Sequence, residues 1–514
     1  MSSSPPLIQL QRDELRLSQL QFRIAELETG LHMLKTQHES LAIQSATLAA
    51  NVAARRVRYA PMRTLLPEIC DIIFAYCAEA ECSLDCNNSD RMFEQPYPLV
   101  LASVCWRWRA MVLQNPALWT TLHLRPDINS TSEINRARLF ISRSGNMPIR
   151  LTICPVDLSR VDGDRHSITA IILPLIRFLI PHFGRIQSLK THLGIEMLPD
   201  VFPARTSVKM PMIEELSLVI DTHHISSSLL GRLHSPRLQH LHVCDITPFL
   251  DVFDDLLPTL HTLVVTECRS WKFSRIFPGM LAKCTNLRSC SITFPSTLFF
   301  MDLEPIELPE LVSLTLEWPF LFEPSPIFRA LRAPNLLTLR IVHLSRQLVV
   351  PLHTLSSLKG LLNSASRLHF LSVTGCNLLT QDESIGLLQE SKNIQRLEIN
   401  NCLRGDRFLI PLTPINPNNA GTTWLCPKLT HVTITGLHDS DVRPVINFAK
   451  SRSDKYSATT PLNQECKFLL ELALDTNSQH LSRQARLLML SGLFSVQKSL
   501  NIIGPFGDLF GPRS

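Results

Sequence analysis

Histidines and cysteines are the residues of this chain best suited to acid–base or metal chemistry. Asp221 is followed closely by the adjacent pair His223 and His224. Adjacent side chains on an extended segment point in opposite directions, so these two imidazoles do not converge on one reacting atom. The sequence contains no glycine-rich phosphate loop, no G-x-S-x-G motif and no H-E-x-x-H motif. We therefore predict that the chain is not an enzyme and that it has no catalytic residues and no cofactor.

Three cysteines, Cys77, Cys82 and Cys86, have a spacing that loosely suits a metal ion. A structural zinc site needs four ligands in close pairs, and no fourth Cys or His follows at the usual distance. We therefore predict no metal site. The 14 cysteines of the chain are scattered, and many stand beside Leu, Val or Ile. This distribution is typical of reduced, buried thiols and predicts a cytoplasmic or nuclear protein.

Length and charge narrow the class of protein further. A chain of 514 residues is too long for one compact core. The net charge is only +5 and no basic patch is concentrated, which predicts no nucleic-acid binding. The most apolar window, Ile168 to Ile180, is too short to span a bilayer and contains Pro174 and Arg177. The N-terminal residues lack the basic-then-apolar pattern of a secretory signal, so we predict none. Together with the short apolar window, this predicts no membrane association.

Residues 1–60 are predicted to form one long helix. Apolar residues recur there at steps of three, four or seven, with His38 and Ser45 as polar breaks, which is a heptad pattern. We predict a coiled coil and a possible homodimer through residues 10–52; the alternative is a helix folded back on the globular part. The apolar positions of the heptad are Leu10, Leu17, Leu20, Ile24, Leu27, Leu31, Leu34, Leu41, Leu48 and Val52.

Residues 61–125 follow as a small helical module. Pro67 comes after two leucines, which suits the first turn of a helix, where the missing N–H costs nothing. A second helical run begins near Leu99 and ends at Asn115, because the residue before Pro116 resists the α region. A module of about sixty residues is too small to bury so many large apolar side chains. The apolar surface that remains exposed tends to be an interface with a partner.

The module contains a set of motif residues in two segments and a following tryptophan. They are Leu66, Pro67, Glu68, Ile69, Ile73, Phe74, Val104, Cys105, Trp108, Arg109 and Trp119. This set resembles an F-box, and in particular the F-box proteins of mushroom-forming fungi. The match covers about sixty residues, and the loop from Cys77 to Pro98 is longer than in a minimal F-box. The resemblance implies a three-helix module that binds the Skp adaptor of a cullin–RING ubiquitin ligase. We expect Trp108 and Trp119 to lie in its interior, because indole rings carry large buried area.

Six residues of the module are the predicted adaptor-binding set. We chose them because they are apolar and lie in the two segments that match the F-box pattern. They are Leu65, Leu66, Pro67, Ile69, Ile73 and Val104.

Residues 126–500 read as a repeat array. The unit is apolar-x-x-Leu-x-apolar, and its copies recur about every 22 to 40 residues. Each unit predicts a short strand with one buried face, and the prolines before many strands predict a turn that ends the preceding helix. Strand, loop and helix in repetition stack into a parallel solenoid that resembles a leucine-rich-repeat array. The central residues of the copies are Leu189, Leu216, Leu241, Leu263, Cys290, Leu314, Leu339, Leu371, Leu397, Val432 and Leu472.

In a curved solenoid the strands line the concave face, and the positions between the buried ones point outward there. We predict that these positions contact a target protein. A set rich in His and Arg, together with Phe370, favours an acidic or phosphorylated partner. The predicted contact residues are His240, His242, Arg340, Phe370, Arg396, Glu398 and His431; His261 and Arg288 are further candidates.

The predicted fold class is α/β: a coiled-coil helix (1–60), a small all-α F-box module (61–125), an irregular leucine-rich-repeat solenoid with convex-face helices (126–500) and a tail (501–514). The predicted function is a substrate-receptor subunit of a cullin–RING ubiquitin ligase. The partners would be a Skp-type adaptor and a target protein that the sequence does not name. The alternative is a protein-interaction scaffold outside any ligase, in which the F-box is degenerate.

Overall fold

The chain folds into two compact units, Met1–Leu84 and Asp85–Ser514, in a computed structural model. The structure describes residues 5–58, 65–82, 97–125, 130–154, 173–194, 208–221, 233–244, 253–266, 273–294, 303–318, 325–343, 354–375, 381–402, 406–413, 425–452, 471–474, 482–494 and 501–503.

The first unit contains two helices, α1 (Pro5–Arg58) and α2 (Pro67–Cys82). The helix predicted from the heptad pattern is therefore confirmed, and it runs without a break for 54 residues. Helix α2 begins at Pro67, as the sequence predicts for a proline in a first turn.

The second unit opens with short helices: α3 (Tyr97–Val104), α4 (Trp106–Gln114) and a 3₁₀ turn (Pro116–Trp119). The sequence predicted one helical run here, and this was wrong. The chain breaks at Cys105, whose backbone is extended and whose Sγ accepts a hydrogen bond from the Trp108 amide at 3.5 Å. A side-chain acceptor at this position satisfies a free amide of the new helix, so α4 starts afresh.

The expectation that Trp108 and Trp119 lie in the interior is confirmed, since both are buried. The Trp119 Nε1 donates a hydrogen bond of 2.8 Å to the Val112 carbonyl, and its ring packs edge-on against Phe140 with 5.1 Å between centroids. Arg109 is structural, because its Nε donates to the Ala102 carbonyl at 2.9 Å and ties α4 to α3.

Parallel strands make up most of the second unit. In the described residues, fourteen of them form one sheet in the order β1-β2-β3-β5-β7-β8-β9-β11-β13-β14-β15-β16-β17-β18, and two small sheets pair β4 with β6 and β10 with β12. The strands are β1 (Thr121–Leu124), β2 (Ile149–Ile153), β3 (Ile186–Gly194), β4 (Val208–Lys209), β5 (Glu215–Asp221), β6 (Leu233–His234), β7 (His240–Val243), β8 (Thr262–Val265), β9 (Ser289–Thr293), β10 (Ile306–Glu307), β11 (Ser313–Trp318), β12 (Leu331–Arg332), β13 (Thr338–His343), β14 (Phe370–Thr374), β15 (Arg396–Asn400), β16 (His431–Thr435), β17 (Glu471–Leu474) and β18 (Asn501–Ile503).

Helices connect many of these strands, and each of α7 to α11 packs on the helix that follows it. Strands that pair with the next strand and helices that pack on the next helix make a solenoid, in which each unit contacts its neighbours. The helices are α5 (Ser130–Arg143), α6 (Phe273–Lys283), α7 (Ser325–Ala330), α8 (Thr354–Ser364), α9 (Gln381–Glu390), α10 (Asp406–Leu412), α11 (Val442–Ser451) and α12 (Arg483–Phe494).

The central residues of the predicted repeat units fall into one buried column of the sheet. Leu371 pairs with Leu339 on one side and with Leu397 on the other, and the same register continues to Val432 and Leu472. A period of two along each strand places these residues on one face, so a shift by one residue would expose the whole column.

The array is longer than predicted at both ends. Strand β1 lies at the end of the segment 61–125, where the sequence predicts an extended segment after the helical module, and it pairs with β2 as the first strand of the array. Strand β18 pairs with β17 at residues 501–503, where the sequence predicted only a tail. Strand β1 carries the full repeat pattern as Trp119, Leu122 and Leu124, whereas β18 has Ser499 and Gly504 where the pattern requires apolar residues around Ile502.

Asparagine side chains join successive repeats at the turns before the strands. Asn286 donates to the Pro258 carbonyl at 2.7 Å, Asn335 to the Pro309 carbonyl at 2.9 Å and Asn393 to the Ser366 carbonyl at 2.6 Å. Each Asn therefore satisfies a carbonyl of an earlier turn that no strand pairing reaches.

Three residues of the sequence-based predictions lie outside the described residues, namely His223, His224 and Cys86. Within the described ranges, no three His, Cys, Asp or Glu side chains group as a metal site would require. No helix within these ranges combines the length and the hydropathy needed to cross a bilayer.

Candidate docking and recognition surfaces

The start of α2 carries most of the predicted adaptor-binding set. The Leu66 carbonyl accepts hydrogen bonds of 3.1 Å from the Ile69 and Cys70 amides and so begins the helix. Leu66, Pro67 and Ile69 are exposed, while Leu65 and Ile73 are half-buried. The residues that begin the helix thus present apolar side chains to solvent.

The remaining surface of α2 is divided by helical spacing. Ile69, Ile72 and Tyr76 lie at positions i, i+3 and i+7 and are 42%, 52% and 70% exposed; we call them the α2 stripe. Cys70 and Phe74 are fully buried and lie on a different side of the helix. An isoleucine pair and a tyrosine in water would each gain from burial, because removing apolar surface from water stabilises by about 25 cal/mol per Å².

The acidic side chains of α2 do not lie over the α2 stripe. Glu68 and Asp71 are exposed and lie about 100° further around the helix than the α2 stripe. The helix therefore has three faces: buried, exposed apolar and exposed acidic. A helix that only needed to be soluble would not require the second.

Val104 is the one predicted adaptor-binding residue in the second unit. It is the last residue of α3 and is 58% exposed. Leu99 and Val100 on the same helix and Trp106 at the start of α4 are also exposed. Five predicted residues thus lie on the first unit and one on the second, and all of them have accessible side chains.

The predicted target-binding residues lie on the face of the sheet opposite the buried leucine column. On this face, Phe370, Arg396 and His431 are paired across β14, β15 and β16, and each is the first residue of its strand. Arg340 and Glu398 lie in the next row, where they are both aligned with Ser372. We call these five residues the arginine cluster.

Contacts within the arginine cluster organise its charges. The Arg340 and Arg396 guanidinium carbons lie 5.0 and 5.5 Å from the Phe370 ring centroid, which is cation–π distance. Arg396 also forms a 2.9 Å ion pair with Glu398, whereas Arg340 has no carboxylate partner among the described residues. The cluster therefore presents an exposed guanidinium whose charge is not neutralised, held on an aromatic ring.

His240 and His242 belong to a different part of the face. They lie on β7, four strand positions from β13 in the sheet, a separation of about 19 Å at the usual strand spacing. The His242 ring nitrogens lie 2.9 Å from the Ser217 Oγ and 3.4 Å from the Thr266 Oγ1. The structure thus divides the predicted contact residues into two groups.

His261 and Arg288, the two further candidates, are not strand residues. Each immediately precedes its strand, β8 or β9, and the His261 Nδ1 lies 3.1 Å from the Thr259 carbonyl. The Leu-x-apolar pattern locates a strand but does not define its first residue. Each strand was therefore predicted to begin one residue too early.

Sequence reasoning missed an ion pair near His240 and His242. The Lys190 Nζ lies 2.8 Å from a Glu215 carboxylate oxygen, and the Ser188 Oγ donates to the same carboxylate at 2.8 Å. Burial alone would raise the pKa of Glu215, but these hydrogen bonds outweigh it and lower the pKa. The pair therefore stabilises the fold above the unfolded-state pKa and loses its effect as pH falls through the lowered pKa. The alternation in β3 was the available signal, since Lys190 stands between the apolar positions of that strand.

Comparison with known proteins finds distant similarity only. No protein-family model matches the chain, and no curated protein matches it. Among solved structures, the chain is similar to a complex of Rad7 and Elc1 in yeast, at 12% identity and a TM-score of 0.34, covering 92% of this chain and 98% of the other. It is also similar to an internalin from Listeria monocytogenes, at 13% identity and a TM-score of 0.31, covering 68% of this chain and 92% of the other.

Proposed function

We propose that this chain is a non-catalytic substrate receptor of a cullin–RING ubiquitin ligase. The start of α2 and Val104 contact a Skp-type adaptor, and the outer face of the sheet holds a target protein. The F-box-like residues of the module support the first role. The parallel repeat array, with charged and aromatic side chains on its outer face, supports the second.

The observation that carries the proposal is the exposed α2 stripe next to the F-box-like Leu66-Pro67 pair. Leu66 is 64% exposed, and Ile69, Ile72 and Tyr76 continue the apolar surface along the helix. A contiguous exposed apolar surface on a short helix marks an interface more often than chance exposure, because single scattered residues are the norm elsewhere. A helix laid against a partner through such positions is a common recognition mode.

The receptor acts by proximity. A target held on the sheet and an adaptor held at α2 share one chain, so a second encounter becomes intramolecular and its effective concentration rises. No bond is made or broken by this chain; the ligase supplies the chemistry.

The chemistry of the target follows from the arginine cluster. A guanidinium presents a fork of N–H donors that fits carboxylate and phosphate oxygens. Arg340 has no carboxylate partner among the described residues, and Arg396 has Glu398 at 2.9 Å. The cluster is therefore suited to an acidic or phosphorylated segment, in which an anion pairs with Arg340.

Adaptor binding is tested with the full chain and a purified Skp-type adaptor in a co-precipitation. The variant Leu66→Ala with Pro67→Ala is expected to lose most of the retained adaptor, because it removes the apolar contacts that begin α2. The matched control is Glu68→Gln with Ala75→Ser, two exposed positions on the same helix. The control should retain the adaptor as the unmodified chain does.

Two outcomes contradict the receptor role. Either the unmodified chain retains no adaptor, or the double alanine variant retains as much as the control. The remaining reading would then be the scaffold outside any ligase.

Target chemistry is tested with a phosphoserine peptide, its glutamate counterpart and the unmodified serine peptide, using calorimetry. Arg340→Glu with Arg396→Glu should weaken binding of the anionic peptides by about tenfold or more, since a charged hydrogen-bonded pair contributes about 1.5–3 kcal/mol. Arg143→Glu with Arg150→Glu makes the same change of charge at two exposed positions outside the predicted contact residues. Equal weakening by both variants would assign the effect to net charge and would contradict a site at the arginine cluster.

A further inference from the structure

Helix α1 carries an apolar surface that nothing in a single described chain covers. It is one continuous helix of 54 residues, and every apolar heptad position from Leu10 to Val52 is between 42% and 71% exposed. An isolated helix of this kind leaves its stripe in water, whereas a second helix laid along it would bury both stripes.

The a and d positions of the heptad carry different residue types. With Leu10 at a, the first d position is Asp13, and every later d position is leucine: Leu20, Leu27, Leu34, Leu41 and Leu48. The a positions begin as Leu, Leu, Ile and Leu and then become His38, Ser45 and Val52. Leucine at d, with β-branched or polar residues among the a positions, is the pattern of two-stranded coiled coils.

The two polar a positions distinguish the possible alignments. In a parallel, in-register pair, a positions face a positions, so His38 meets the partner's His38 and Ser45 meets the partner's Ser45. In an antiparallel pair, a positions face d positions, so His38 would face a leucine of the other helix. Placing polar side chains against leucine leaves their hydrogen-bonding groups unsatisfied, which costs free energy. Matched polar layers therefore favour the parallel register.

Flanking charges agree with the same alignment. In a parallel pair, each g position faces the e position five residues later on the other helix. Arg23 then faces the partner's Glu28, and the symmetry of the pair repeats this contact on the other side. From Arg16 to Ala49 the alignment creates no like-charge pair: the other g and e partners are Arg16 with Gln21, Gly30 with Lys35, Gln37 with Ala42, and Gln44 with Ala49.

We propose that two copies of this chain assemble through a parallel, in-register, two-stranded coiled coil over residues 17–52, which begins after the aspartate at d position 13. Because parallel helices end on the same side, the two chains leave the coiled coil together and carry two copies of α2 and two repeat arrays. The assembly holds whether or not α2 binds an adaptor. If it does, the dimer is a receptor with two recognition faces, and a target with repeated anionic segments gains avidity from both.

The orientation is tested by cysteine cross-linking in the full chain. Ser45→Cys places a thiol at a seam position where the parallel register brings the two copies face to face, within the Cα separation of about 4.4–6.8 Å that a disulfide spans. Ser40→Cys is the matched control, because residue 40 is a c position that points away from the seam. The unmodified chain measures background from its own exposed Cys77 and Cys105.

Mild oxidation should convert Ser45→Cys largely to a covalent dimer and should leave Ser40→Cys at background. In parallel, sedimentation equilibrium of the unmodified chain should give twice the monomer mass of 58.1 kDa. Leu27→Glu with Leu34→Glu should return it to the monomer mass, because two charges would enter the seam. A dimer without the Ser45→Cys cross-link overturns the parallel register, and a monomer overturns the assembly itself.

Discussion

Gly375 follows β14 with a φ of 67°, a backbone conformation that favours glycine. A Cβ at this position would meet the carbonyl oxygen of His343 on the neighbouring repeat. The residues at the same place after the next two strands, Asn401 and Gly436, also have positive φ, at 50° and 67°. The turn after these strands therefore depends on a left-handed residue, for which Gly and Asn are the usual choices.

We expect Gly375→Ala to destabilise the second unit by roughly 1–3 kcal/mol, from backbone strain and the contact with His343. The matched control is Gly279→Ala in α6, where a Cβ meets nothing within 4 Å and φ is not left-handed. Urea unfolding of both variants measures the difference. Equal midpoints for the two variants would contradict the requirement for a left-handed turn.

Side-chain partners are the part of the site that the sequence could not supply. The outward positions of Arg340, Phe370 and Arg396 followed from strand alternation alone. Their meeting around one ring did not, because it depends on the register between β13, β14 and β15, which connections of different lengths determine. The Lys190–Glu215 ion pair could not be predicted either, because it also depends on the register between two strands.

Elements with a strong period were predictable, and elements without one were not. The heptad gave α1, and the Leu-x-apolar unit gave the central strands of the sheet. The break at Cys105 could not be seen, because residues on both sides keep a helical spacing of apolar groups. Strand β18 could not be predicted from the repeat pattern, because Ser499 and Gly504 stand at the two positions where that pattern requires apolar residues.

The cysteine thiols should differ in reactivity according to whether the element that carries them buries or exposes them. Burial raises the pKa of Cys284, in the turn after α6, and of Cys426, in the turn before β16, to about 12, and it also raises the pKa of Cys290 in β9. At pH 8 only about 10⁻⁴ of a thiol with that pKa is thiolate, the reactive form. Cys77 on α2 and Cys105 before α4 are exposed.

We expect brief treatment of the folded chain with iodoacetamide at pH 8 to modify Cys77 and Cys105 and to spare the three buried thiols. Peptide mass spectrometry measures the extent of modification at each residue. The same treatment in urea is the control and should modify all five. Modification of Cys284 at the rate of Cys77 in the folded chain would show that its surroundings open readily, contrary to the close packing of the array.

At the scale of the whole molecule, each proposed function uses a different surface. The coiled-coil seam and the α2 stripe lie on the first unit, and the arginine cluster lies on the second. Variants at one surface should therefore leave the others unchanged: loss of adaptor binding by Leu66→Ala with Pro67→Ala should not alter peptide binding or dimer mass. This independence follows because the surfaces share no residue, and the effects of substitutions without shared partners usually add.

The adaptor affinity of the full chain tests the central claim most directly. Isothermal titration of a purified Skp-type adaptor into the unmodified chain should give saturable binding, and Ile69→Asp with Ile72→Asp should weaken it by about a hundredfold, since two buried apolar contacts are replaced by charges. Glu68→Gln with Ala75→Ser should bind as the unmodified chain does. Absence of binding by the unmodified chain, or equal affinity for the aspartate variant, would contradict the assignment of α2 as the docking element.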